Sequence, residues 1–397
     1  MVGTATLVTL LVASLASLFM AWSIGAGSSG STPFAPAVGA NAISVMRAGF
    51  VVGILGLLGA VLQGANVTEA VGKELVVGVT LSPVAATVGL IVAATLVAIG
   101  VFAGYPIATA FTVTGAVVGA GLAMGGAPAW AKYREIATLW MLVPFVGGGI
   151  AYGTAVTLRD ERVPERVAVP LLAGIVGLIL ANVGFVLLGP AGEAASVAAV
   201  TASQLPAPAT PARIGVSLVL AAIAAVALER DLARDEAAGQ RHFLLALGGL
   251  VAFSAGGSQV GLALGPLLPL LEKTTLALPL TALLLGGGIG LLVGSWTGAP
   301  RMIKAISQDY SSLGPRRSIA ALIPSFAIAQ TAVFFGIPVS FNEIIVSAIV
   351  GSGYAAGGAG VSREKIAKTV LAWIGSLVLA FALSYGTFVA VNIIMRI

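Results

Sequence analysis

Two short stretches concentrate polar side chains inside an otherwise apolar chain, and they are copies of one another. Gly104 to Gly126 reads GYPIATAFTVTGAVVGAGLAMGG, and Gly336 to Gly358 reads GIPVSFNEIIVSAIVGSGYAAGG. They align without a gap at an offset of 232: Gly104, Gly119, Gly121, Gly125 and Gly126 recur as Gly336, Gly351, Gly353, Gly357 and Gly358, and Pro106 as Pro338. A fainter pair, GANAISVMRAG from Gly39 and GGSQVGLALGP from Gly256, precedes each copy. Among the hydroxyl and amide side chains in these windows, the candidates for a site are Asn41, Ser44, Thr109, Thr112, Ser258, Gln259, Ser340 and Asn342, and the charges are Arg47 and Glu343.

These residue types suit the binding of an anion. Backbone N–H groups at the start of a broken helix point at an anion, and the partial positive charge there favours it. Gly39, Gly104, Gly256 and Gly336, with Pro36, Pro106 and Pro338, mark places where helices can break, although small residues also let membrane helices pack closely. Each Ser or Thr has an alternative use, bonding its own helix four residues back. Ionisable groups in a membrane are costly and face a cavity, a partner or a pathway. Arg47 is therefore expected to supply positive field and Glu343 to titrate in coupling. The alternatives are a structural ion pair or an Arg47 that reaches to the interface.

The elements that must position these groups are membrane helices. Of 397 residues 58% are hydrophobic and 9% charged, with a mean hydropathy of +1.06, against roughly 25% charged in a soluble domain. Apolar runs near 3–24, 45–64, 81–102, 136–158, 167–189, 213–228, 242–253, 275–298, 318–335 and 370–394 are the expected spans, most of them close to the ~20 residues that cross a bilayer. They lack the alternation of a transmembrane barrel, so helices must satisfy the backbone. The first run lacks the positive start of a signal peptide, the first basic residue being Arg47, and is expected to stay attached. The basic stretch Arg301, Lys304, Arg316 and Arg317 is expected on the cytoplasmic side.

There is no cysteine and one histidine, His242, so thiolate metal sites and a Ser-His-Asp triad have no candidates. The charge of +5 sits in loops and bears on topology rather than nucleic acid. Glu193 to Arg213 is poor in bulky residues and holds three prolines between Leu205 and Pro211. The expected organisation is an N-terminal repeat at 1–192, a linker at 193–212 and a C-terminal repeat at 213–397.

With these motifs the chain resembles the inorganic phosphate transporters of the PiT type, which include sulfate permeases. Gly39-Ala40-Asn41 resembles the first GAN motif, Gly265-Pro266-Leu267 the end of its second copy, and Gly336 to Ser340 followed by Ser347 to Gly353 the PVS and VGAIVGxG run. The resemblance implies an all-α polytopic membrane protein with two inverted-topology repeats, broken or re-entrant helices at the motifs and ten to twelve membrane segments. It implies ion-coupled, alternating-access symport of inorganic phosphate across the cell membrane. Sulfate or another oxyanion, or a transport-inactive scaffold or sensor, are the alternatives. No enzyme activity, cofactor or metal is expected beyond a coupling H+ or Na+, and the partners are the oxyanion and the lipid bilayer, with a homodimer left open. The chain departs from the family at the carboxylates and histidines: Ala42 and Gln259 stand at the aspartates, Val45 and Leu262 at the later asparagines, and Phe111 and Glu343 at the histidines, beside Thr109, Ala110, Phe341 and Asn342 at the threonines.

Overall fold

A computed structural model describes residues 4–190, 193–272, 278–358 and 361–395. Its helices are α1 (Thr4–Gly27), α2 (Ala35–Gly39), α3 (Val45–Gln63), α4 (Ala65–Lys73), α5 (Pro83–Ala103), α6 (Thr109–Ala123), α7 (Trp130–Thr157), α8 (Glu165–Asn182), α9 (Val197–Ala202) and α10 (Ala209–Arg234). There follow α11 (Glu236–Leu264), α12 (Leu268–Glu272), α13 (Leu280–Thr297), α14 (Ala299–Asp309), α15 (Pro315–Phe335), α16 (Phe341–Tyr354) and α17 (Arg363–Met395). Two antiparallel two-residue ladders, Val76–Val77 with Ala127–Pro128 and Gly184–Phe185 with Ala195–Ser196, tie loops together.

Among the described residues ten helices are long and apolar enough to cross a membrane: α1, α3, α5, α7, α8, α10, α11, α13, α15 and α17. Their buried fractions separate centre from rim. The spans of α11 and α15 are each 72% buried and those of α10 and α17 each 17%, so α11 and α15 form the core and α10 and α17 face lipid. The expected spans reappear with one large change. The run at 242–253 becomes a span from Glu236 to Leu271, because the glycine-rich second motif continues the helix. Residue 3, residues 275–277 and the boundary at 192 lie outside the described residues.

Gly256 is accordingly not a break. It sits inside α11, where a Cβ would run into the carbonyl of Gly56 on α3, and its role is close packing of the two backbones. Gly104 and Gly336 do end helices. Both adopt left-handed backbone, φ 73° and 63°, which an L side chain tolerates poorly, and each is followed by a proline-containing stretch leading into a short helix. At 15 and 14 residues and about 1.5 Å per residue, α6 and α16 fall short of a ~30 Å hydrocarbon core. The pairs α5–α6 and α15–α16 are therefore hairpins with their tips at 104–108 and 336–340.

Each tip is held by the long helix that follows the other hairpin. Trp140 Nε1 on α7 donates to the Pro338 carbonyl at 3.0 Å, and Trp373 Nε1 on α17 donates to the Pro106 carbonyl at 2.7 Å. The glycines match this exchange. A Cβ at Gly119 on α6 would strike the Phe381 carbonyl on α17, and one at Gly351 on α16 would strike the Gly148 carbonyl on α7. The tryptophans, which by composition alone look like packing residues, thus carry a polar duty as well.

Between the two hairpin units, α8 and α10 lie against each other, with Asn182 Nδ2 donating to Ser217 Oγ at 2.9 Å. At the basic end, α14 buries Met302, Ile303 and Ile306 and exposes Arg301 and Lys304. It lies beside the start of α15, where Arg316 pairs with Glu165.

Candidate oxyanion site

Both hairpin tips arrive at the same place. Thr109 opens α6, Asn342 lies in the first turn of α16, Gln259 projects from α11 and Ser28 follows the end of α1. Gln259 Oε1 accepts from Thr109 Oγ1 at 2.8 Å and from Ser28 Oγ at 3.2 Å, while its Nε2 donates to the Val339 carbonyl at 2.6 Å. Asn342 Nδ2 donates to the Ile107 carbonyl at 2.6 Å and the Gly27 carbonyl at 2.9 Å. Ile107 and Val339 are equivalent positions of the two copies, so one amide side chain closes each tip. Ser28, Thr109, Gln259 and Asn342 are fully buried.

Around this closed network stand groups that the protein leaves unused. Ser258 Oγ, Ser340 Oγ, Asn342 Oδ1 and Glu343 Oε2 are buried without a hydrogen-bond partner. A buried polar group in that condition costs about 1–3 kcal/mol, and native interiors tolerate few of them. Three of the four, Ser340, Asn342 and Glu343, fall within four residues at the second tip, and the fourth adjoins Gln259. Ser340 occupies the N-cap position of α16 but accepts no bond from it, although serine at that position ordinarily does. Two serine hydroxyls can donate to an anion, two carbonyl-type oxygens can accept from a proton carrier or hold a cation, and the starts of α6 and α16 add N–H groups and positive field.

The remaining predicted residues lie elsewhere. Thr112 is buried but returns its hydroxyl to the Ala108 carbonyl at 3.0 Å. Asn41 and Ser44 are exposed on the α2–α3 connection and Arg47 is exposed in the first turn of α3: Asn41 has φ 57°, and Ser44 caps α3 by accepting from the Arg47 amide. The neighbouring Ala42 carbonyl accepts from Arg241 Nε at 2.9 Å, and α2 itself packs on α14 and α15, towards the basic end of the bundle. No ion pair joins Arg47 to Glu343, and no cation lies in salt-bridge reach of Glu343 among the described residues. Gly39 ends the five-residue α2, a break at the margin of the site.

The pairing of Gly39 with Gly256 is corrected by this geometry. What meets the second motif is the stretch Gly25 to Thr32, GAGSSGST, with Ser28 against Gln259 and Ser28, Ser29, Ser31 and Thr32 all buried. Gly25 and Ser28 precede Gly256 and Gln259 by 231 positions, within one of the offset of the clear pair, whereas Gly39 precedes Gly256 by only 217. Constancy of offset was the available signal. The corrected position carries Ser28 where the misplaced alignment had Ala42, so neither copy offers a carboxylate there.

Replacing Gln259 with Leu is expected to destabilise the fold by about 1–3 kcal/mol, because the Val339 carbonyl and the Ser28 and Thr109 hydroxyls all lose their partner. Thermal unfolding of the purified protein checks this, and an unchanged transition would refute the central place given to Gln259.

Comparisons with known proteins place the chain in a family. The model of the Phosphate transporter family matches residues 24–384. The chain is 22% identical to the protein of Thermococcus kodakarensis named "Putative phosphate permease TK2061", over 94% of this chain and 96% of that one. It is 24% identical to "Inorganic phosphate transporter 2-1, chloroplastic" of Arabidopsis thaliana, over 90% of this chain and 68% of that one. The solved structure titled "The sodium-dependent phosphate transporter" shares the fold, with a TM-score of 0.81, 24% identity and coverage of 98% of this chain and 100% of that one. Since the matched stretch takes in Ser28, both hairpins and every residue of the buried cluster, this multi-pass membrane protein belongs to the phosphate transporter family.

Proposed function

We propose that the chain is a secondary active transporter of inorganic phosphate that binds the anion where the two hairpin tips meet. The observation that carries this reading is the set of four unpartnered buried groups at that point. The Ser258 and Ser340 hydroxyls and the helix starts of α6 and α16 donate to the phosphate oxygens. Glu343 binds the coupling ion, H+ or Na+, because an uncompensated buried carboxylate is costly and either ion removes the cost.

The halves 1–192 and 213–397, joined through 193–212, act as inverted repeats in this reading. The Gly104-Tyr105 turn of the first hairpin lies toward Lys365, whose Nζ sits 4.1 Å from the Tyr105 ring and pairs with Asp309 beside the basic loop, while the Gly336 turn of the second lies by Asn66, whose Nδ2 donates to the Val333 carbonyl at the far end of α15. Two hairpins pointing opposite ways are what alternating access needs.

Binding is tested first. Phosphate at a hundredfold excess over its dissociation constant adds about 2.7 kcal/mol to the stability of a protein that binds it only when folded. A clear upward shift in the melting temperature with phosphate, weakened in Ser258→Ala and Ser340→Ala, is expected. No shift with phosphate, sulfate or another oxyanion would favour a transport-inactive scaffold.

A further inference from the structure

A polar track runs from a cavity at one end of α15 toward Ser258. At the end of α15 remote from the basic loop, a cavity of about 850 Å³ is lined by Gln63, Gln330, Asn182 and Arg213 among others. Arg213 is exposed, and its Nε donates to Asn182 Oδ1 at 3.1 Å, so the outer part of this vestibule carries a guanidinium as well as the exposed Glu193 carboxylate. Its inner end is a pair of carboxamides. Gln330 Nε2 donates to Gln63 Oε1 at 3.2 Å and to Ser254 Oγ at 2.6 Å, while Gln63 Nε2 donates to the Gly184 carbonyl at 2.9 Å and reaches Gln330 Oε1 at 3.4 Å. Ser254 and the unpartnered Ser258 are four residues apart on α11 and so share one face.

The duplication does not produce this track. At the repeat offsets of 231 and 232, the partner of Ser254 is Ser23, which bonds the Ala94 carbonyl, and the partner of Gln330 is Ala98. A merely structural crosslink between α3, α11 and α15 would need no cavity ending on it. We propose that Gln63 and Gln330 are the inner barrier of the anion's access route from the vestibule. Their mutual amide bond closes the route in the present conformation, and on opening their N–H groups hand the anion by way of Ser254 to Ser258. This deepens the phosphate-transport reading and rests on it.

The chain has no cysteine, so Ser254→Cys would carry its only thiol. The test uses the full-length protein in proteoliposomes and a membrane-impermeant methanethiosulfonate reagent. Adding Gln330→Leu, which keeps bulk but removes three side-chain hydrogen bonds, is expected to speed labelling of the Ser254→Cys thiol roughly tenfold. Inorganic phosphate is expected to slow labelling in both backgrounds. Gln63→Leu, read separately, guards against one variant misfolding; it is expected to speed labelling too and to change the KM of uptake. A thiol that is inert in all backgrounds, or labelled at one rate regardless of the glutamines, would overturn the route. Faster labelling in the leucine variants with no effect of phosphate would support the route while overturning phosphate as its cargo.

Discussion

Glu343→Gln is expected to abolish gradient-driven accumulation while sparing phosphate binding. Glu343 is 1% exposed in the first turn of α16, one of its oxygens has no partner, and no cation faces it among the described residues. Carrying such a carboxylate across a membrane in charged, unpaired form is prohibitive. In the proposed alternating-access cycle, the step that turns the site from one face to the other therefore requires the coupling ion. Glutamine is nearly isosteric and always neutral, so the reoriented site no longer needs the ion. Accumulation against a gradient should fall by at least about tenfold, the factor that 1.4 kcal/mol produces. Phosphate-for-phosphate exchange and the thermal shift with phosphate should persist. In the proton-coupled case the variant's exchange is also flat with pH, since the titrating group is gone. Uptake by Glu343→Gln that follows the driving gradient as the native protein does would remove Glu343 from coupling.

The second large effect concerns packing. Gly256→Leu is expected to prevent stable assembly, and even Gly256→Ala to cost about 1–3 kcal/mol, the usual penalty of overpacking. The added carbon would meet the backbone carbonyl of Gly56, and three residues away Gly59 faces the Phe253 carbonyl in the same way. Two backbones this close have no flexible side chain to give way, so α3 must move off α11, taking the Gln63–Gln330 contact with it. Gly286→Ala on α13 and Gly375→Ala on α17 supply the control, since nothing lies within 4 Å of a Cβ at either. They should stay within about 0.5 kcal/mol of the parent. Thermal unfolding in detergent separates the two classes, and a Gly256→Ala protein as stable as Gly286→Ala would contradict the assigned helix crossing.

The spans were legible because lipid demands long apolar runs, and the hairpins because their two copies align without a gap. Gly104 and Gly336 were read as breaks, and their left-handed backbone agrees. Gly256 shows the limit of that reasoning: glycine serves equally to break a helix and to let another helix touch it, and only the position of α3 decides which. The first motif was misplaced for a related reason. GAN at Gly39 matches the family pattern by letters, while GAGSS at Gly25 matches its partner by distance along the chain, and in a duplicated fold distance is the stronger constraint.

The polar duties of Trp140, Trp373, Gln63 and Gln330 had no local signal. Each joins elements about 200 residues apart or more, and a single amide or indole in an apolar run does not say what it faces. Glu343, by contrast, stands out as a charge inside a motif, and the structure adds that Arg47 is exposed in the first turn of α3 and not beside it.

The central claim is that this chain carries phosphate by coupling at the hairpin tips. Its most direct test is uptake of labelled phosphate into proteoliposomes holding the purified protein, under a proton gradient, a sodium gradient and neither, with sulfate as competitor. Accumulation under one gradient, lost in Glu343→Gln and weakened in Ser258→Ala, is the predicted result. Native protein that accumulates no phosphate under either gradient, although it is folded and correctly inserted, would contradict the claim.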